Sequence, residues 1–229
     1  MKVMLLAAGR GERMRPLTDT RPKPLLEVGG KPLIVWHIER LRQAGLCSLV
    51  INHAWLGGMI ERALGDGSAL GVDITYSPEG EALETAGGIA HALPLLGGDP
   101  FLVINADIFC THDVGRAAAI AARMQASGDQ AWLVMAPNPP QHPAGDFRLD
   151  RGRIFDHGEA RLTFSGIGIY QPALFASVAP GSRQKLAPLL RAAMAQGRVG
   201  GELFTGRWED VGTPGRLLAL DRELTRQSE

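Results

Sequence analysis

The fold of this chain is decided by LAAGRGERMRPLT at residues 6–18, which is followed by PKP at residues 22–24. A short apolar strand predicted over residues 3–7 runs straight into this stretch of small and basic residues. A loop of this composition can bring backbone N–H groups and several cations onto one polyphosphate. The stretch therefore predicts a phosphate-binding loop at the end of a buried strand.

Two other phosphate loops need different residues. A Walker A loop ends in Gly-Lys followed by Ser or Thr, whereas Gly30-Lys31 is followed by Pro32. A dinucleotide-binding loop needs a third glycine at the position that Met14 occupies, which argues against a dinucleotide-dependent oxidoreductase. A glycine-rich turn without a ligand is the remaining alternative, and Arg13 and Lys23 argue against it.

The spacing L-A-A-G-x-G-x-R-x-x-P-L-T…P-K-P resembles the signature of the sugar-1-phosphate nucleotidyltransferases. The resemblance implies an α/β fold with three layers, a mostly parallel Rossmann-like central sheet and a smaller sugar-binding lobe. It also implies nucleotide contacts from the loop and from a later segment. The residues implied are Leu6, Ala8, Gly9, Gly11, Glu12, Arg13, Lys23, Glu81, Thr85, Ala86 and Gly87.

Composition limits the class of protein. The chain has 229 residues with 24 basic and 24 acidic side chains, so a net charge of zero gives no electrostatic case for a nucleic-acid or membrane partner. Cys47 and Cys110 are interpreted as thiols in a reducing cytosol. The apolar run at the N-terminus is too short for a signal peptide, and we expect a cytoplasmic protein without an obligatory protein partner.

Strands and helices alternate along the chain, which predicts a sheet covered on both faces. Predicted strands cover 3–7, 46–52, 72–77, 101–105 and 131–136, and predicted helices cover 32–44, 59–64, 85–95 and 114–126. His37 falls at a core position of the first helix. After a proline-rich linker come strands at 146–149, 153–155 and 162–170, helix 186–196, segment 207–211 and a closing helix 214–225. We expect one domain, 1–229, with a nucleotide-binding half (1–136) and a sugar-binding half (137–229).

Asp107 follows a buried strand, where open α/β sheets bind ligands, and a carboxylate there suits Mg²⁺. The alternative is that Asp107 only caps the next helix. The resemblance implies that Asp107 is a Mg²⁺ ligand, and that Asp210 in Trp208-Glu209-Asp210-Val211-Gly212-Thr213 supplies the second carboxylate. The catalytic set implied is then Arg13, Lys23, Asp107 and Asp210, with Mg²⁺ as cofactor.

The stretch YSPEGEALETAGG at residues 76–88 has three glutamates within six residues. One interpretation is a solvated acidic loop that caps the following helix, because acidic groups favour a helix N-terminus. The other is that Thr85-Ala86-Gly87 lets a base lie against the backbone. The resemblance implies the second, because relatives read the base with E-x-x-x-T-A-G.

The sugar phosphate has a wider set of candidates. Each of three candidates also has an interpretation without a ligand: Asp146 as a turn residue, Ser165 as a strand hydroxyl, and Lys185 as an exposed residue at the start of a helix. A lysine at a helix start is favoured when an anion lies nearby, which supports a phosphate contact for Lys185. Glu159-Ala160-Arg161 departs from the Glu-Lys-Pro of relatives, so Lys185 is the candidate replacement for that cation. The set implied is Asn105, Gly145, Asp146, Glu159, Ser165, Gly166 and Lys185.

Runs at 51–57, 76–88, 145–149, 164–167 and 185–191 resemble the branch that transfers a uridylyl group from UTP to N-acetylmuramate 1-phosphate in cell-wall recycling. Arg148 and Arg161 are candidate partners for the lactyl carboxylate of that sugar. Mannose-1-phosphate guanylyltransferases share much of the pattern and are the alternative within the family. An inactive nucleotide-sugar sensor is the alternative from another class.

Overall fold

The structure is a computed structural model that describes residues 1–226; residues 227–229, the end of the predicted sugar-binding half, lie outside the described residues. It confirms the α/β class, with one large sheet between two layers of helices. In the described part of the chain, none of the helices combines the length and apolarity that a bilayer crossing requires.

The strands are numbered in chain order. They are β1 (Val3–Leu6), β2 (Glu27–Val28), β3 (Lys31–Pro32), β4 (Ser48–His53), β5 (Asp73–Pro78), β6 (Phe101–Asn105), β7 (Ile108–Cys110), β8 (Ala131–Ala136), β9 (Phe147–Asp150), β10 (Arg153–Phe155), β11 (Arg161–Tyr170), β12 (Val199–Leu203) and β13 (Trp208–Asp210).

The helices are numbered in the same way. They are α1 (Leu17–Thr20), α2 (Leu33–Gln43), α3 (Gly57–Leu64), α4 (Glu84–Leu96), α5 (Ala117–Ser127), α6 (Leu186–Ala195) and α7 (Pro214–Arg226). Short 3₁₀ turns cover Glu12–Met14, Lys23–Leu25, Ser68–Leu70 and Pro172–Phe175.

The main sheet has the order β5-β4-β1-β6-β11-β8-β12-β10-β9. Strands β5, β4, β1 and β6 are parallel, and β10 and β11 run opposite to the other strands of the sheet. These strand directions confirm the prediction of a mostly parallel sheet. Strand β11 comes from the predicted sugar-binding half, yet it pairs with β6 and β8 of the other half, so the sheet joins the two.

The two faces of the sheet carry separate cores. On β1, Val3 and Leu5 pack into a core with α2, α3 and α5, while Met4 packs into a core with α4 and α6. Ile34 and Ile38 of α2 are fully buried there, and each contributes about 1.5–3 kcal/mol relative to an exposed side chain. This division produces the three layers that the sequence resemblance implied.

Several short elements were absent from the sequence prediction. Strands β2 and β3 are joined by Gly29-Gly30, both with positive φ, and a Cβ on Gly29 would lie 2.8 Å from Leu224 of α7. Strand β12 contains Gly200 and Gly201, and because glycine has a low strand propensity this strand was not predicted from the sequence. A Cβ on Gly200 would lie 2.5 Å from the Trp132 ring, so close packing requires glycine there.

Helix α2 holds strand β7 through side chains. His37 is buried, as predicted, and its Nε2–H donates to the Ile108 carbonyl at 2.7 Å, while Arg40 donates to the Cys110 carbonyl. Burial lowers the pKa of His37 to about 4, because the charged imidazolium would lose its hydration. Neutral His37 therefore fixes the backbone immediately after Asp107.

This pKa makes stability depend on pH. The unfolded chain binds a proton on His37 near pH 6.5 but the folded chain only near pH 4, so acid favours unfolding. His37 should contribute its full stability above pH 6.5 and lose about 2 kcal/mol of it between pH 8 and pH 5. Urea unfolding of the wild type and of His37→Gln measures this as a shallower pH dependence in the variant. The exposed His91→Gln is the control, and equal pH slopes for wild type and His37→Gln would contradict the prediction.

Candidate functional site

A cleft of about 970 Å³ lies at the carboxyl ends of β1, β4 and β6, where open α/β sheets bind ligands. It brings together most of the predicted nucleotide residues and both predicted catalytic cations. The predicted residues that line it are Leu6, Ala8, Gly9, Gly11, Glu12, Arg13, Lys23, Glu81, Thr85, Asn105 and Asp107. Ala86, Gly87, Gly145, Asp146, Glu159, Ser165, Gly166, Lys185 and Asp210 lie outside that lining.

The loop after β1 is shaped by Gly11 and Thr18. Gly11 has a φ of +64°, and a Cβ there would lie 2.9 Å from Thr18 Cγ2. The Thr18 hydroxyl donates to the Gly11 carbonyl at 2.8 Å, and the Met14 amide donates to the same carbonyl at 2.8 Å. Met14 is buried in the core with α7. The residue that excludes a dinucleotide-binding loop therefore anchors this loop to the protein interior.

Lys23 reaches the floor of the cleft from the 3₁₀ turn after Pro22. Its residue surface is only 5 % exposed, and its Nζ donates to Asp107 Oδ2 at 2.7 Å. The Asp107 side chain is 40 % exposed and faces the cleft. An ammonium group that is desolvated on one side and open to the cleft on the other is suited to neutralising a phosphate.

Strand pairing brings β13, which ends at Asp210, against β7, which begins one residue after Asp107. Strands β7 and β13 are antiparallel, with Asp210 opposite Ile108. Asp210 Oδ2 accepts from Arg216 at 2.9 Å, and a Cβ on the cleft residue Gly212 would lie 3.1 Å from the same oxygen. The two aspartates are far apart in the sequence, which therefore could not show that the β7–β13 pair brings their backbone segments together.

These two carboxylates can supply oxygen ligands. Across residues 1–226, no group of three or more His, Cys, Asp or Glu side chains is arranged to hold a metal ion. Mg²⁺ needs only one or two carboxylates when phosphate oxygens and waters complete its octahedron. The pair Asp107 and Asp210 therefore fits Mg²⁺ that arrives with a phosphate, and does not fit a metal held by protein ligands alone.

The acidic segment after β5 is held by Asn52 and Glu79. Asn52 accepts from the Ala7 amide at 2.9 Å and donates to Glu79 Oε1 at 2.5 Å, while Glu79 Oε2 accepts from the Leu83 amide at 2.8 Å. A Cβ on Gly88 would lie 2.3 Å from Glu79 Oε1, so Gly88 leaves room for this contact. Glu79 therefore connects the segment to the end of β4 and, through Asn52, to the end of β1 and the loop that follows it.

The predicted base contacts divide between the cleft and the interior. Glu81 and Thr85 line the cleft, whereas the amides of Ala86 and Gly87 both donate to the Gln184 carbonyl at 3.0 Å. Glu84 has a positive φ of 61° and accepts from Arg183 at 3.1 Å, and both residues line the cleft. Positive φ in a non-glycine residue is strained and occurs preferentially at functional sites.

The predicted sugar residues near β11 occupy a bulge. Ser165 and Gly166 lie where the register of β11 against β8 shifts. A Cβ on Gly166 would lie 2.7 Å from Asn105 Nδ2, so Gly166 lies directly behind a cleft-lining side chain. The buried Ser165 hydroxyl accepts from the Ile167 amide at 3.2 Å, and the backbone carbonyl of Ser165 accepts from the Trp208 indole N–H. Ser165 and Gly166 thus support the cleft wall.

The remaining sugar candidates do not line the cleft. Gly145 and Asp146 form a turn against β11, where Asp146 Oδ2 accepts from the Phe164 amide at 2.8 Å. Glu159 and Lys185 are exposed, and Lys185 precedes the first residue of α6. The turn interpretation of Asp146 and the helix-start interpretation of Lys185 are both consistent with these positions.

The two arginines considered for a sugar carboxylate are engaged elsewhere. Arg148 donates to Asp150 at 2.7 Å and stacks on Phe155. Arg161 donates to the backbone carbonyls of Asp146 and Asp156. Neither arginine lines the cleft.

Sequence reasoning missed several cleft residues, namely Arg10, Asn52, Trp55, Glu79 and Arg183. Asn52 lies near the carboxyl end of β4, a strand that pairs with β1, and this position is the signal that could have identified it. Arg183 comes from a loop before α6, and only the tertiary structure brings it to the cleft.

Comparisons with known proteins agree with this geometry. The family model described as nucleotidyl transferase matches residues 2–227. N-acetylmuramate alpha-1-phosphate uridylyltransferase of Neisseria meningitidis serogroup B is 58 % identical over 222 residues, covering 95 % of each chain. The Caulobacter vibrioides protein of the same name is 38 % identical over 232 residues, covering 96 % of each.

The fold also has a solved counterpart. A crystal structure of a putative glucose-1-phosphate thymidylyltransferase from Bacillus anthracis, in complex with a sucrose, matches with a TM-score of 0.87. It is 21 % identical and covers 98 % of this chain and 95 % of its own, so it bears on the fold alone. The family model matches almost the whole sequence, and the loop after β1 and the cleft that it lines agree with that match. This chain therefore belongs to the nucleotidyl transferase family.

Proposed function

We propose that this protein transfers a uridylyl group from UTP to N-acetylmuramate α-1-phosphate, forming a UDP-sugar and pyrophosphate for cell-wall recycling. The observation that carries the proposal is the Lys23–Asp107 pair on the floor of the cleft, beside the phosphate loop. The choice of UTP and of this sugar is supported by the names of the relatives that are 58 % and 38 % identical.

The reaction needs no protein nucleophile. An oxygen of the sugar phosphate attacks the α-phosphorus of UTP and forms a new P–O bond, while the bond to the bridging oxygen breaks and pyrophosphate leaves. Catalysis of this kind depends on positioning and on neutralising charge. Lys23 is suited to the α-phosphate because its ammonium is nearly buried, and Arg13 to the phosphates of the leaving group because it lies in the loop.

Mg²⁺ is the cofactor we propose, with Asp107 and Asp210 as its ligands. Each carboxylate uses Oδ2 for a cation, Lys23 for Asp107 and Arg216 for Asp210, and neither Oδ1 has a hydrogen bond within residues 1–226. When bound, Mg²⁺ would withdraw charge from the reacting phosphate oxygens. Lys23 and Arg216 would then hold the two carboxylates in a fixed orientation.

The base and the sugar would occupy opposite parts of the cleft. Glu81 and Thr85 are available at the base end, in a segment that Asn52 and Glu79 hold in place. Asn105 is available at the sugar end, with Gly166 behind it. The preference for N-acetylmuramate rests on the relatives, because Arg148 and Arg161 are engaged outside the cleft.

We further propose a cytoplasmic location, where UTP is made and where the two free cysteines would stay reduced. An inactive sensor is the less favoured function, because such a protein has no need of a desolvated lysine at the reacting phosphate.

Removing either carboxylate should abolish most turnover while leaving the fold intact. Asp107→Asn and Asp210→Asn should each lower the rate at least ~100-fold, because charge stabilisation by the metal is worth several kcal/mol. Pyrophosphate release at limiting Mg²⁺ measures the rate, and the exposed Asp99→Asn is the control. Near-normal activity in either variant would refute its assignment as a ligand.

Lys23 should act on the chemical step more than on nucleotide binding. Lys23→Met keeps the side-chain length without the charge and should reduce kcat strongly, with a smaller change in UTP affinity. Steady-state kinetics and calorimetric binding of UTP separate the two effects. Lys31→Met, which removes a lysine paired with Glu39 away from the cleft, is the control. A rise in KM for UTP alone would make Lys23 a binding residue only.

Substrate choice is tested by a matrix of UTP, GTP, CTP and dTTP against several sugar 1-phosphates. We expect N-acetylmuramate α-1-phosphate with UTP to give the highest kcat/KM, about ten- to hundredfold above N-acetylglucosamine 1-phosphate, which lacks the carboxylate. Faster turnover of mannose 1-phosphate with GTP would contradict the proposed substrates, while the assignment of nucleotidyl transfer would still hold. Tight UTP binding without turnover of any pair would favour the sensor.

A further inference from the structure

Arg10 is a cation of the phosphate loop that the family signature does not specify. Its side chain lines the cleft, is exposed, and forms no ion pair or hydrogen bond within residues 1–226. Its one described contact is with the face of Trp55, with Cζ 5.4 Å from the ring centroid. A guanidinium group within ~6 Å of an indole face is held by cation–π attraction.

Trp55 is itself fixed to the phosphate loop. Its Nε1–H donates to the Thr18 carbonyl at 3.0 Å, and Thr18 is only 2 % exposed. The Thr18 hydroxyl donates in turn to the Gly11 carbonyl. The contacts thus form a closed circuit that runs from Gly11 through Thr18 and Trp55 to Arg10. The indole is therefore a rigid platform that limits the positions of the Arg10 side chain.

The platform leaves the donors of Arg10 free. An arginine that stacks through its plane keeps its N–H groups at the edges, where they can bind phosphate oxygens in pairs. Less side-chain entropy is lost on binding because the stack has already reduced it. Arg15, in the same segment, lacks this arrangement, since it is paired with Asp19 at 3.1 Å and lies outside the cleft lining.

The position of Arg10 separates it from the reacting phosphorus. Lys23 meets Asp107 just beyond the end of β6, whereas Trp55 follows β4, and β1 lies between those strands. Two strand spacings amount to about 10 Å, so a group on Trp55 is remote from the α-phosphate. It remains within the same cleft and beside the loop that carries Arg13.

We propose that Arg10, held on the face of Trp55, binds the terminal phosphates of the nucleotide and the pyrophosphate product. This inference rests on the proposed nucleotidyl transfer and adds a binding residue to it. Arg10 acts on the affinity for the leaving group, while Lys23 acts on the chemical step.

Calorimetric binding of magnesium pyrophosphate to the full chain tests this directly. Arg10→Ala should raise the dissociation constant for pyrophosphate about tenfold, because a charge-assisted contact is lost. The KM for UTP and the inhibition constant of pyrophosphate should rise in parallel, while kcat at saturating UTP stays within about twofold. Arg10→Lys, which keeps charge but loses the paired donors, should fall between wild type and Arg10→Ala.

Two further variants separate binding from structure. Arg15→Ala removes an equal charge from the same segment and should leave pyrophosphate affinity unchanged. Trp55→Leu removes the platform and should weaken pyrophosphate binding. Combined with Arg10→Ala it should add little, because both changes remove one site.

Pyrophosphate affinity unchanged in Arg10→Ala, or a fall in kcat without loss of affinity, would overturn the inference. Equal losses in Arg15→Ala would reduce it to a general charge effect and overturn it too. A change in preference among UTP, GTP and CTP would show that Arg10 contacts the base instead. If the wild-type protein released no pyrophosphate in the substrate matrix, the proposed function would be contradicted. If the wild type turned over normally and the Arg10→Ala variant bound pyrophosphate equally well, only the role of Arg10 would be contradicted.

Discussion

The contact between Lys23 and Asp107 joins two of the segments from which the cleft is built. Lys23 arrives with the loop after β1, and Asp107 arrives at the end of β6. Lys23 is almost fully buried, and the Asp107 carboxylate accepts a hydrogen bond from its ammonium group. The rest of the site keeps these two groups in register, and a phosphate placed between them would meet a cation that is already desolvated.

The surroundings of this contact are fixed by backbone-directed hydrogen bonds. His37 and Arg40 of α2 bind carbonyl groups of β7, and β13 pairs with β7 so that Asp210 lies opposite Ile108, the residue after Asp107. On the other side, Thr18 and Met14 hold Gly11. Because these bonds are directional and largely buried, the charged groups are positioned before any ligand binds, which is the condition for electrostatic catalysis.

Much of this arrangement could be predicted from the sequence, because local patterns carry it. Strands such as β6 and β8 are continuous apolar runs, and the loop after β1 has its own spacing of Gly, Arg and Lys. Elements whose stability comes from tertiary contacts could not be predicted. Strand β12 contains paired glycines that pack under Trp132, and the strands of the β2–β3 hairpin are two residues long. Arg183 likewise reaches the cleft through long-range packing that local periodicity does not encode.

The central claim is that the reacting α-phosphate is held between Lys23 and a metal bound by Asp107 and Asp210. A crystal structure of the protein with Mn²⁺ and a non-hydrolysable UTP analogue tests it most directly. We expect an anomalous Mn²⁺ peak in contact with both carboxylates, and an α-phosphate oxygen within hydrogen-bond distance of Lys23 Nζ. An α-phosphate bound away from Lys23, or Mn²⁺ held by neither carboxylate, would contradict it.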